Sequence, residues 1–169
     1  LFVVSAFGFN VKAQEHLTYG GHKYLIVGEN LIVNPSFEND CTNFISQCLY
    51  EGGFRQQFSQ YRHEGWWLQS NNSNWSFSWS VAHSLRWYLI LSKRGVEVDS
   101  PDKLSIGDII FYDFDGNGSF QHSTINKKKN ESSILVNAHT SDSYQRYYLY
   151  NDSTAYTPNI NYSYIKIIN

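Results

Sequence analysis

The hydrophobic pattern of this chain changes period once, near its middle, and that change restricts the fold more than any other feature. Cys41, Phe44, Ile45, Cys48 and Leu49 fall at i, i+3, i+4, i+7 and i+8, the stripe of an amphipathic helix. Asp40 supplies an N-cap and Gly52-Gly53 a stop. A second helix is expected from about Ser80, with Val81, Leu85, Tyr88, Leu89 and Ser92 on one face and Lys93-Arg94-Gly95 closing it. After Leu104-Ser105-Ile106-Gly107 the pattern becomes that of strands. They are expected over 108–114, 120–126, 133–139, 145–150 and 162–168, with Asp115-Gly116-Asn117-Gly118 as the first turn and 127–131 as a polar turn. Helices followed by an antiparallel sheet make an α+β fold. Before Asp40, the turn signals Gly20-Gly21, Gly28 and Asn34-Pro35 separate short extended pieces.

A chain of 169 residues suits one domain, and 41% hydrophobic against 17% charged residues excludes wholesale disorder. Thirteen Lys and Arg against 15 Asp and Glu give a net charge of −2, which argues against nucleic acid as a partner. Residues 1–9 are apolar and uncharged, and Val11-Lys12-Ala13 places small residues where a leader is cleaved. Residues 1–13 therefore read as a signal-peptide remnant and 14–169 as the domain. No run reaches the roughly 18 apolar residues of a membrane span. The expected location is outside the cell, secreted or wall-associated.

Cys41 sits in the first turn of its helix, where free backbone N–H groups and the macrodipole favour an anion, and the thiolate is the reactive form of cysteine. His122 follows the tight turn that returns the chain beside the first strand. His139 lies on the next strand and can face His122 across the ladder. A thiol, a histidine and a polar group that orients the histidine form the arrangement of covalent acyl transfer. Each residue also has a plain structural reading: a Cys on an apolar stripe acts as a small hydrophobe, and a strand His is commonly a satisfied side chain. Cys41 and Cys48 stand about 10 Å apart along a helix, beyond the roughly 7 Å a disulfide spans, so both thiols stay reduced.

The residues around these positions resemble a known family. Asp40-Cys41-Thr42-Asn43-Phe44-Ile45-Ser46-Gln47 is similar to the D-C-T-N-F-[VI]-S-Q signature of the bacterial "putative amidase domain" family. Gly107-Asp108-Ile109-Ile110-Phe111, then Asp113 to Gly118 with His122-Ser123, and then Asn137-Ala138-His139-Thr140-Ser141-Asp142 resemble its later blocks in the same order. The family is grouped with papain-like cysteine hydrolases of the NlpC and CHAP type, many of which cut peptidoglycan. The resemblance implies a papain-like fold with Cys41 as nucleophile, His122 as general base and His139 as orienting group. Asn137 and Asp142 are alternates for that last role. The Cys41 N–H would be one oxyanion donor. Gln121 stands where relatives often carry Asp. The implied substrate is a peptide or peptidoglycan amide bond, and no cofactor is implied.

Three further patterns carry weaker expectations. Asp40, Trp66, Trp67 and Trp79 are candidate substrate-binding residues, the tryptophans as a cleft wall or else as ordinary core. Asp113, Asp115 and Asn117 imitate the start of a calcium loop, but Thr124 occupies the place of its bidentate Glu, and a hairpin turn explains the run. Cys41, His122 and His139 could be read as a zinc set, although close ligand spacings are absent. The aromatic excess and Gln121 motivate one rival, a wall- or glycan-binding module without catalysis.

Overall fold

The computed structural model describes residues 2–3, 15–19, 22–26, 41–69, 74–130, 133–139 and 143–168. Asp40, Asp142, residues 4–13 and the turn signals at 20–21, 28 and 34–35 lie outside them. Near the N-terminus, β1 (Phe2–Val3) pairs in parallel with β3 (His22–Ile26), and β2 (Glu15–Tyr19) pairs antiparallel on the other side.

Helix α1 spans Cys41–Glu51, where the helical stripe lies. Its buried side is wider than that stripe, because Thr42, Asn43 and Ser46 are buried beside Phe44, Ile45 and Leu49. The second helix is split. α2 covers Phe77–Ser80 and α3 covers Ala82–Leu91, with Val81 extended between them at φ −119° and ψ 123°. A β-branched residue accepts that extended conformation readily, and the apolar stripe alone does not reveal the break.

The main sheet has six strands: β4 (Gly95–Val98), β5 (Ile109–Asp113), β6 (His122–Asn130), β7 (Ser133–Ala138), β8 (Ser143–Tyr147) and β9 (Asn161–Ile167). Their order is β4-β9-β5-β6-β7-β8 and every pairing is antiparallel. The α+β expectation is met. β4 was not foreseen, since Gly95 reads as a helix stop. A Cβ at Gly95 would stand 2.6 Å from Ile165 Cγ2, so glycine permits the close approach of β4 to β9. The polar stretch after Asn126 continues β6 through Asn130 rather than turning, with a register irregularity between Asn126 and Lys128.

Alternation divides the sheet into two buried faces. Ile109, Phe111, Ile125 and Ile165 pack against Phe44, Ile45 and Leu49 of α1 and Leu85 and Leu89 of α3. Ile110, Tyr112, Ile134 and Val136 face the other way, with Leu104 and Tyr150. Among the described residues no helix is long and apolar enough to cross a membrane.

The tryptophans belong to the core. Trp66, Trp67 and Trp79 are 0%, 1% and 1% exposed, so they offer no open ring face and are not a cleft wall. Instead they anchor α1. Trp66 Nε1 donates to Ser46 Oγ at 3.0 Å, and that hydroxyl donates to the Trp79 carbonyl at 2.8 Å. Trp79 Nε1 donates to Asn43 Oδ1 at 2.6 Å. Ser46→Ala removes a buried hydroxyl serving two partners and should lower stability by about 2 kcal/mol. Urea unfolding measures it, and an unchanged midpoint would show that these bonds do not hold the helix.

Candidate active site

The site begins at the first residue of α1. Cys41 is 3% exposed, at the end of the helix where backbone N–H groups have no intrahelical acceptor. The next residue fastens this end to the sheet: Thr42 Oγ1 lies 3.1 Å from Ser123 Oγ and 3.6 Å from Cys41 Sγ. The backbone of Ser123 also hydrogen-bonds the sulfur. The start of α1 therefore rests on the start of β6, whose first residue is His122.

The β5–β6 hairpin sets the position of His122. Asp113 accepts N–H bonds from Asn117 at 3.2 Å and Gly118 at 2.7 Å, while Gly116 and Gly118 take left-handed φ of 68° and 86°. Gln121 Oε1 accepts the Phe114 N–H at 2.8 Å, and its Nε2 donates to Asp115 Oδ2 at 3.2 Å. Gln121 thus clamps the hairpin closed. The His122 ring lies among Tyr112, Phe114 and Tyr150, with centroid separations of 5.4, 6.0 and 5.1 Å.

The His122 imidazole stands near enough to Cys41 to act on its thiol both as a hydrogen-bonding group and as a charge. Burial alone would raise the thiol pKa, but the hydrogen bond and charge of His122, with the Thr42 hydroxyl and Ser123 backbone, more than reverse this and bring it from 9.0 down to about 6. Cys48 behaves oppositely. Burial and the nearby Glu51 charge push it up to about 12. Both thiols are reduced. A thiolate beside an imidazole, at a helix start, can attack a carbonyl carbon and pass a proton to a leaving amine.

The "Putative amidase domain" family profile matches residues 23–165, which include α1 and all of the six-stranded sheet except the last two residues of β9. The chain belongs to this family. The family description points to amide hydrolysis. A similar protein is the "Uncharacterized protein YhbB" of Bacillus subtilis (strain 168), 49% identical over 142 residues. The match covers 80% of this chain and 45% of that protein, so the amidase domain spans under half the relative's length. No solved structure matches the chain.

The other expected site residues of the amidase domain are placed as follows. β7 ends at Ala138, and the half-buried His139 follows in a turn. Ile125 pairs with Asn137 and β7 ends at Ala138, so among the described pairings none sets His139 opposite His122. Asn137 Oδ1 accepts the Gln145 N–H at 2.9 Å, which commits it to the β7–β8 connection. Among the described residues no group of three or more His, Cys, Asp or Glu is placed to hold a metal ion. Both Asp113 oxygens are engaged by backbone N–H groups, the work of a turn rather than of a calcium ligand.

Sequence reasoning missed Tyr150. Its hydroxyl lies 3.1 Å from His122 Nε2. It was expected at the end of a strand, whereas β8 stops at Tyr147 and Tyr150 has a left-handed φ of 55°. Periodicity carries no signal for such a residue.

The opposite thiol environments give a direct expectation. Iodoacetamide should label Cys41 with a half-point near pH 6, while Cys48 stays unlabelled at pH 8 in the folded protein. A depressed thiol pKa also links to folding. The stabilisation from ionising Cys41 is complete above the unfolded value of 9.0 and is lost as pH falls through about 6. Equal labelling of both thiols, rising together near pH 9, would contradict this electrostatic account.

Proposed function

We propose that this domain is a papain-like cysteine amidase or endopeptidase, related to the NlpC and CHAP hydrolases, that cuts an amide bond in bacterial cell-wall peptides outside the cell. The observation that carries the reading is the placement of Cys41 at the first residue of α1 against the start of β6, where His122 stands, the two joined by the Thr42–Ser123 contact. The order of parts also fits: a helix that begins with the cysteine, followed by an antiparallel sheet that carries the histidine. The wall substrate comes from the family resemblance. Export accords with the uncharged apolar run over residues 1–9.

The chemistry follows from these groups. The Cys41 thiolate adds to the carbonyl carbon, and the negative charge moves to the carbonyl oxygen. The Cys41 backbone N–H is a donor for that oxyanion. As the tetrahedral intermediate collapses, the His122 imidazolium gives its proton to the leaving nitrogen, the C–N bond breaks, and a thioester remains. Water then attacks the thioester while His122 takes its proton. Breaking the C–S bond frees the acid and restores the thiolate–imidazolium pair.

The binding-module rival draws no support from Trp66, Trp67 and Trp79, which are core residues, or from Gln121, which serves the hairpin. The test uses purified sacculi. The wild-type domain should release new amino groups, and Cys41→Ala should lower the rate by at least about 10⁴-fold while keeping the circular dichroism of the fold. Acid-quenched wild-type protein should carry an acyl mass on the peptide containing Cys41. Full activity in the Ala variant would sink the reading.

A further inference from the structure

We propose that the Tyr150 hydroxyl is the positioning group for His122, holding its Nε2–H so that Nδ1 is turned toward the Cys41 sulfur. This deepens the cysteine-amidase reading and rests on it. Four observations support it.

The first is distance. Tyr150 Oη stands 3.1 Å from His122 Nε2, within hydrogen-bond range, and both side chains are buried. An imidazole has two ring nitrogens, and with Nε2 engaged by Tyr150 the other is open to the thiol.

The second is direction. When His122 is an imidazolium, both of its nitrogens are donors, so Nε2–H must donate and the phenol oxygen must accept. The inventory around that oxygen permits this. The Arg146 guanidinium, which has only donors, lies against the Tyr150 ring and, with Ser143, lowers the pKa of the phenol. A donor-only neighbour leaves the phenol oxygen free to accept from His122. Tyr150 stays neutral, since burial holds its pKa above the ordinary value and the nearby Cys41 charge pushes in the same direction.

The third is clamping. The Arg146 guanidinium lies 4.1 Å from the Tyr150 ring centroid and is itself held by Asp152 Oδ1 at 2.8 and 3.0 Å. Tyr112 packs on the other partners of the cluster, with its ring 4.9 Å from that of Tyr150. The phenol is therefore fixed on the protein side before any substrate arrives.

The fourth is backbone cost. Tyr150 holds a φ of 55°, a conformation that suits glycine and is disfavoured for an aromatic residue. Non-glycine residues in such regions cluster where function demands a side chain at that place.

The step itself is proton bookkeeping. Nδ1 takes the thiol proton and later gives it to the leaving amine. Nε2 keeps its own proton throughout, donated to Tyr150. An orienting group that is neutral differs from a carboxylate in adding no charge to the pair.

Tyr150→Phe keeps the ring and removes only the acceptor. The proposal predicts that the half-point of Cys41 alkylation rises by about one to two pH units and that labelling at pH 7 slows by about 2- to 10-fold. The thermal midpoint should shift little. His139→Ala should leave that profile in place. In the unaltered protein, the side-chain nitrogen NMR of His122 should report a protonated Nε2 across the titration, a readout that requires no variant to fold. A bare Nε2 with a protonated Nδ1, or an unmoved profile in Tyr150→Phe, overturns the proposal, as does a shift seen in His139→Ala alone. Failure of the underlying reading looks different: Cys41→Ala would then retain amide hydrolysis whatever Tyr150 does.

Discussion

A sulfur with 3% of its surface exposed does not ionise unaided, because burial disfavours its charged form. The contact between the Cys41 sulfur and the His122 imidazole overcomes that cost, and the rest of the structure depends on it. Everything around the contact serves to keep two groups from distant parts of the chain in register. Thr42 and Ser123 join the helix start to the strand start. The Asp113 turn and the Gln121 clamp set where the strand begins. Displacing either end by one residue would part the pair, since a strand shifted by one residue turns its side chain to the other face.

The polar members of the family signature have separate tasks in this view. Asn43 and Ser46 take no part in the chemistry. They receive the indole N–H groups of Trp79 and Trp66, so α2 and the aromatic segment before it hold α1 from behind. A helix bound by both apolar packing and buried hydrogen bonds loses little position to thermal motion. That rigidity matters at a site where reacting atoms must stay within hydrogen-bond reach.

Much of this was legible in the residues themselves. The α1 boundary, the hairpin at 115–118 and the helix-then-sheet order follow from period and turn chemistry, which are local properties. The split at Val81, the short strand at Gly95–Val98 and the continuation of β6 through Lys129 depend on neighbours far away in sequence, and local pattern is silent about those. The tryptophans show the same limit. Trp66, Trp67 and Trp79 look alike in sequence as a cleft wall or as a core, and only burial separates the two. The end of β7 at Ala138 leaves His139 in a turn beyond the paired residues, which the strand pattern did not foretell. Tyr150 was beyond reach altogether, because it comes to His122 from an irregular turn after β8.

The central claim is that His122 creates the Cys41 thiolate. Titrating the ultraviolet thiolate absorbance of a Cys48→Ser protein, with and without His122→Ala, tests it most directly. The account predicts a half-point near pH 6 with the imidazole present and a clearly higher one without it, since burial is then opposed only by the Thr42 and Ser123 hydrogen bonds. The same half-point in both proteins would contradict it.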